Sequence, residues 1–298
     1  MERIIMVFGR KHRIRFFAFL EIYIERYLKI KDMKSWVREM GRVNRIRDHF
    51  GNILIHKIET SDIEEFLADL LRQGFKPATV NRYHARLSSM MRRAYVWGYR
   101  NDNPVDRIES MKEMRMGDRY LEPEEFQELL NACDPQLRCL VMVAAQTGMR
   151  RGELMALRWE DVQWEGGYLI VRADNSKTSE GRIVPMNDHV IQALVSLEPG
   201  KNGKVFPFGD FPTYRWKKVR EKLGWDRIDN PRIKGWRFHD LRHCTASWMA
   251  MADVPLSKVA KILGHKQLTT TQRYAHLSDR SLFDAVQKIG AVLNDKEK

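Results

Sequence analysis

Asn103-Pro104 and the polar stretch Met111 to Arg119 constrain this chain of 298 residues more than any other feature, because they cut it in two. Proline lacks the amide that a helix interior needs and pushes its predecessor out of the helical region. The segment that follows offers no apolar periodicity to bury. Each side must therefore build its own core, and the length allows about two domains of ordinary size. The expected division is a tail at 1–12, a first domain at 13–110, a linker at 111–119, a second domain at 120–290 and a tail at 291–298.

The first domain reads as four helices. Phe16, Phe19, Leu20, Tyr23, Ile24 and Tyr27 recur at helical spacing between Arg15 and Ile30. A second helix is expected from Lys34 to Phe50, stopping at Gly51. Ser61 and Glu64 read as a capping box opening a third, and a fourth runs from Pro77 to near Gly98. Arg42 and Arg45 lie along the second, and Arg82, Arg86 and Arg93 form a basic stripe on the fourth, opposite Val80, Leu87, Met91 and Tyr95. Residues 1–110 hold 22 Lys and Arg against 14 Asp and Glu, most of the overall excess of +13. A pI near 9.7 points to a polyanionic partner. The five arginines are accordingly candidates for DNA contact.

The rest of the composition narrows the class. Hydrophobic content of 43% and charged content of 31% describe a soluble globular chain. Cys133, Cys139 and Cys244 are odd in number and lack metal spacing, as expected of reduced thiols in the cytoplasm. The apolar run Ile4 to Phe8 is too short for a signal-peptide core, and no stretch approaches a membrane span.

In the second domain, Glu122-Pro123-Glu124-Glu125 opens a helix, and the apolar run Leu137 to Gln146 ends at Thr147-Gly148-Met149-Arg150, with Glu153 placed to hold Arg150. Tyr168 to Val171 and Arg182 to Pro185 read as two strands of a hairpin with Lys177 at its tip, and a basic helix is expected from Tyr214 to Leu223. If Phe238 to Met251 is helical, His239, Arg242 and His243 share one face, which suits a phosphate. Gly264 closes a further helix, His265 follows, and Tyr274 stands nine residues on, between Arg273 and His276. Zinc is disfavoured: there is no His-Glu-x-x-His, no Cys pair, and Arg242 in the midst of the histidines would repel a dication.

Thr147 to Arg150 with Glu153, Lys177 on a hairpin, His239-Asp-Leu-Arg242-His243, Leu263-Gly-His265 and Tyr274, in this order and spacing, resemble the catalytic domain of the tyrosine recombinases, the phage integrase family. The resemblance runs from about Arg13 to Lys288. It implies a four-helix, SAM-like core-binding domain followed by a mainly α catalytic domain with a small antiparallel sheet, the DNA breaking-rejoining fold. It also implies roles. Tyr274 would attack a DNA phosphodiester to give a 3′-phosphotyrosyl enzyme, with Arg150, Arg242 and His265 on the non-bridging oxygens. His239 would take the Tyr274 proton and Lys177 would protonate the leaving 5′-oxygen. No cofactor, metal or ATP is called for, because the phosphotyrosyl ester keeps the energy of the broken bond.

The implied partners are paired sites in double-stranded DNA, a homotetramer assembled there through a C-terminal helix bearing Leu282, Val286 and Ile289, and a directionality factor or DNA-bending protein. The arm-binding domain of larger phage integrases is not expected. Integration or excision of a phage or mobile element is preferred to Xer-like chromosome-dimer resolution. A type IB topoisomerase and a catalytically silent DNA-binding regulator are the rival readings, and the full set of six polar residues speaks against the second.

Overall fold

The computed structural model describes residues 13–31, 36–112, 119–173, 181–197 and 203–278. Lys177, most of the polar stretch after Met111 and the helix expected around Val286 lie outside the described residues. The chain divides into two compact units, Met1–Arg115 and Met116–Lys298.

The first unit packs four helices, α1 (Phe16–Tyr23), α2 (Trp36–Phe50), α3 (Thr60–Arg72) and α4 (Pro77–Val96). The helix expected from Arg15 to Ile30 changes type on the way: beyond Tyr23 it passes through a π-helical turn, Ile24–Leu28, and a 3-10 turn, Lys29–Lys31. Each helix contributes aromatic rings to one core. Phe16 meets Phe50 edge-on at 5.9 Å between centroids, Phe50 meets Phe66 at 5.7 Å, and Phe66 meets Tyr83 at 5.8 Å. α3 begins earlier than its expected cap: the Glu59 amide donates to Asp62 at 2.8 Å, leaving Ser61 inside the helix. The cap moves because Asp62, like Glu64, offers a carboxylate, and Asp62 is the one three residues past the last extended residue.

The arginines of this unit are not a uniform solvent-facing stripe. Arg42 and Arg86 both donate to the buried Glu39, and Arg86 also donates to the Tyr23 hydroxyl at 3.0 Å. Arg45 bonds Gln73 at 2.9 Å and covers Phe75, while Arg93 lies 4.2 Å over the Tyr27 ring. Arg82 is exposed, without a hydrogen bond or ion pair among the described residues.

The second unit holds α5 (Pro123–Ala132), α6 (Pro135–Thr147), α7 (Arg151–Ala156), the strands β1 (Val162–Gln163), β2 (Tyr168–Val171) and β3 (Arg182–Pro185), then α8 (Asp188–Val195), α9 (Thr213–Lys222), α10 (Asp240–Met251) and α11 (Leu256–Leu263). The sheet is antiparallel in the order β1-β2-β3, with Leu169 opposite Val184. Two-residue β1 is too short to carry a period and was not anticipated in the sequence.

α6 is the core helix. Leu137, Leu140, Val141 and Val143 are buried on it, and the Thr245 hydroxyl of α10 donates to the Ala145 carbonyl at 2.7 Å. Gly148 ends α6 with a left-handed φ of 62°. A Cβ there would stand 2.3 Å from a Leu263 methyl, so α11 can approach the end of α6 only over glycine. No helix among the described residues is long and apolar enough to cross a membrane.

Candidate active site

Three successive carbonyls at the C-terminal end of α11 each take one guanidinium. Arg182 Nε donates to Ile262 O at 3.0 Å, Arg242 to Leu263 O at 2.5 Å and Arg150 to Gly264 O at 3.1 Å. A helix leaves its last carbonyls unpaired and carries partial negative charge there, which makes the end of α11 a place to gather cations. Arg242 is also held from the other side, donating to Gly148 O at the end of α6 at 2.6 Å. Gly264, with φ 69°, brings its backbone within van der Waals reach of Arg182, where a Cβ would sit 3.0 Å from the Arg182 Cδ.

Glu153 is the counter-charge. Its carboxylate accepts the Arg150 amide at 2.8 Å, the Arg150 guanidinium at 2.9 Å and two bonds from Arg182 at 3.0 and 2.7 Å. Burial works to raise the Glu153 pKa, but the bonds from Arg182 and Arg150 outweigh it and hold the carboxyl below its ordinary value. Arg242 has no carboxylate of its own: burial first, then the Arg150 charge, push it down to about 9, so it is still cationic at neutral pH. Three guanidiniums around one carboxylate leave a surplus of positive charge.

The imidazoles complete the cluster. Asp240, fully buried, accepts the Arg237 amide at 2.8 Å and pairs with Arg119 at 3.3 Å, fixing the start of α10. His239 caps that start and His243 lies one turn in, their rings edge to face at 5.6 Å. His265 Nδ1 bonds the buried Thr271 hydroxyl at 2.8 Å, which leaves Nε2 for a ligand. All three are held neutral: burial lowers each pKa, to about 4 for His243 and His265, and Arg242 adds to the effect at His239 and His265. Tyr274, 5% exposed, is wedged among Ala246, Ala250, Val259 and Leu263, and its hydroxyl lies 2.5 Å from His243 Nδ1.

Of the six residues singled out in the sequence, Arg150, His239, Arg242, His265 and Tyr274 therefore fall within one cluster. The hydroxyl of Tyr274 bonds His243, where His239 had been expected. Arg182 and Thr271 gave no sequence signal, since an arginine opening a strand and a threonine in a polar run are both ordinary surface residues.

Residues 119–281 match the model of the phage integrase family, and residues 20–112 that of the phage integrase N-terminal domain, which together define a tyrosine-type site-specific recombinase, an enzyme of DNA strand transesterification. The chain belongs to the phage integrase family. It is 27% identical to a tyrosine recombinase of Thermosipho africanus over 97% of this chain and all of that one, and 25% identical to XerD of Caulobacter vibrioides over 91% and 94%. It is 27% identical to the integrase of Salmonella phage P22 over 73% of this chain and 59% of that one. In fold it is similar to a lambda integrase dimer bound to a core site, with a TM-score of 0.74, 22% identity and coverage of 88% and 95%. It is similar too to a lambda integrase tetramer bound to a Holliday junction, with a TM-score of 0.66, 22% identity and coverage of 86% and 79%.

Proposed function

We propose that Tyr274 is the nucleophile of the strand transfer and that Arg150, Lys177, His239, Arg242 and His265 serve the scissile phosphate around it. The observation that carries this reading is the Tyr274 hydroxyl, hydrogen-bonded to a neutral imidazole beside a cationic cluster. Attack joins Tyr274 Oη to phosphorus and releases the 5′-oxygen, giving a 3′-phosphotyrosyl ester and a 5′-hydroxyl. Arg150 and Arg242 meet the non-bridging oxygens and His265 Nε2 donates a further bond. His239, exposed at the same face, serves the phosphate, and Lys177 gives a proton to the leaving oxygen.

The surplus positive charge suits this step because the pentacoordinate phosphorus carries more negative charge than the diester. Each preorganised donor of this kind is worth about 10²- to 10³-fold in rate. The guanidiniums supply charge that other phosphoryl-transfer enzymes draw from a metal ion, and resealing reverses the same step without ATP.

Paired double-stranded DNA sites are the substrate, bound by a tetramer, with Arg82 and Arg45 the first candidates for contact with the duplex in the N-terminal unit and Arg42, Arg86 and Arg93 contributing from more enclosed positions. Integration or excision of a phage or mobile element in the cytoplasm is the favoured role, supported by the likeness to the P22 and lambda integrases. Chromosome-dimer resolution is the second reading, supported by the likeness to XerD over nearly its whole length.

A nicked suicide substrate carrying the recombination site, incubated without metal or ATP, tests the chemistry on a denaturing gel. A covalent adduct for the parent and none for Tyr274→Phe is the expected result. An adduct that persists in Tyr274→Phe overturns the assignment.

A further inference from the structure

His239 and His243 stand one helical turn apart on α10, yet they meet different surroundings. His239 is partly open to solvent, and its ring makes no hydrogen bond among the described residues. His243 is half-buried and its Nδ1 lies 2.5 Å from the Tyr274 hydroxyl. The Tyr274 ring is packed into the small apolar cluster between α10 and α11, so packing fixes the direction of its hydroxyl.

We infer that His243 is the group that accepts the proton of Tyr274 in strand cleavage and returns it when the strand is resealed. The inference rests on Tyr274 being the nucleophile. In cleavage the Oη–H proton passes to His243 Nδ1, the Oη electron pair forms the bond to phosphorus, and the bond from phosphorus to the 5′-oxygen breaks. That oxygen takes its proton from the general acid. In resealing the 5′-hydroxyl gives its proton back to the deprotonated general acid as it attacks phosphorus, the bond from phosphorus to Tyr274 Oη breaks, and the imidazolium returns its proton to Oη.

Geometry is the first requirement of a general base, and His243 meets it with the hydroxyl already in a hydrogen bond. The second requirement is an unprotonated nitrogen. The groups facing His243 are His239 and Asp240 from α10, Arg237 from the loop before it, Arg273 and Tyr274 from the final 3-10 turn, and His265 from beyond α11. Burial lowers the His243 pKa most, His239, Arg273 and Arg237 lower it further, and Asp240 alone opposes them. The ring is neutral at pH 7. With its proton on Nε2, Nδ1 presents a lone pair to the phenol.

A pH profile of single-turnover cleavage on the suicide substrate separates the two histidines. With a base of pKa about 4, cleavage by the parent is flat from pH 5.5 to 8. In His243→Asn the phenol must lose its proton unaided, so cleavage falls by about 10²-fold or more at pH 7 and climbs about tenfold per pH unit toward the phenol pKa near 10. His239→Asn slows cleavage as well but keeps the flat profile. Added imidazole restores His243→Gly, a readout that does not depend on the fold of the Asn variant. A flat profile in His243→Asn with no imidazole rescue overturns the inference, as does a sloped profile confined to His239→Asn. Faster cleavage in His243→Asn overturns it too, making His243 a latch on the nucleophile. Tyr274→Phe, run alongside, isolates the underlying reading: an adduct there removes the nucleophile, whereas no adduct there with a flat His243→Asn removes only the base.

Discussion

Each unit of this protein holds one buried glutamate between two arginines, and the two clusters behave differently. In the N-terminal unit Glu39 takes Arg42 and Arg86, and Arg86 turns its other terminal nitrogen to the Tyr23 hydroxyl. Burial opposes the charge on Arg86, but Tyr23 and Glu39 outweigh it and raise its pKa. In the catalytic unit Glu153 takes Arg150 and Arg182, and a third arginine, Arg242, stands beside them with only carbonyls for partners. There burial and the neighbouring Arg150 work in the same direction, down to about 9. The same residue types thus make a cluster in which every arginine meets a carboxylate in one place and, in the other, a cluster with a further cation held only by carbonyls, whose electrostatics an anion would complete.

Crossing the two glutamates tests that contrast most sharply. Glu153→Gln keeps the volume but loosens Arg150 and Arg182, and a misplacement of about 1 Å costs on the order of 10²-fold in rate. Suicide-substrate cleavage should fall by that factor while DNA binding, measured on the Tyr274→Phe background, holds. A lower unfolding midpoint with cleavage within a few-fold of the parent would make Glu153 no different from Glu39.

Glu39→Gln should do the opposite. Removing one partner of a buried ion pair costs about 3 kcal/mol. The urea midpoint of the first unfolding transition drops, and cleavage by the protein that remains folded stays within a few-fold of the parent. An unchanged midpoint would place Glu39 among ordinary surface charges.

The two units also differ in their response to acid. The folded pKa values of His243 and His265, about 4, lie below the unfolded value near 6.5, so the unfolded chain binds more protons between these limits. The contribution of the catalytic unit is full above pH 6.5 and is lost as the pH falls toward 4. Denaturation curves across that window should show the decline, and His243→Asn should shrink it to the share of His265; a decline of equal size in His243→Asn would assign it to other groups.

Much of this was legible in the residues because it depends on local periodicity. The apolar stripes of α1, α3 and α4, the prolines opening α4 and α5 and the glycines closing α6 and α11 are short-range signals, and the elements appear where those signals stand. The order Arg150, His239, Arg242, His265, Tyr274 also carried the family. What failed was finer. The cap of α3 moved to Glu59 and Asp62, since three acidic residues near the start of one helix compete for one amide. The basic stripe of α4 does not act as one unit, because helical spacing says which residues share a face, and nothing about Glu39, 47 residues away, that holds Arg86.

The sequence by itself determined the helices, their order, the break between two cores and the set of polar residues carried to one site. The tertiary structure decided which imidazole meets Tyr274, and it gathered Arg150, Arg182 and Arg242 on three carbonyls at the end of α11. The spacing that put His239 and His243 on one face could not choose between them. That choice is made by a contact across 31 residues, set by how α10, α11 and the last 3-10 turn pack, and packing is a property of all three at once.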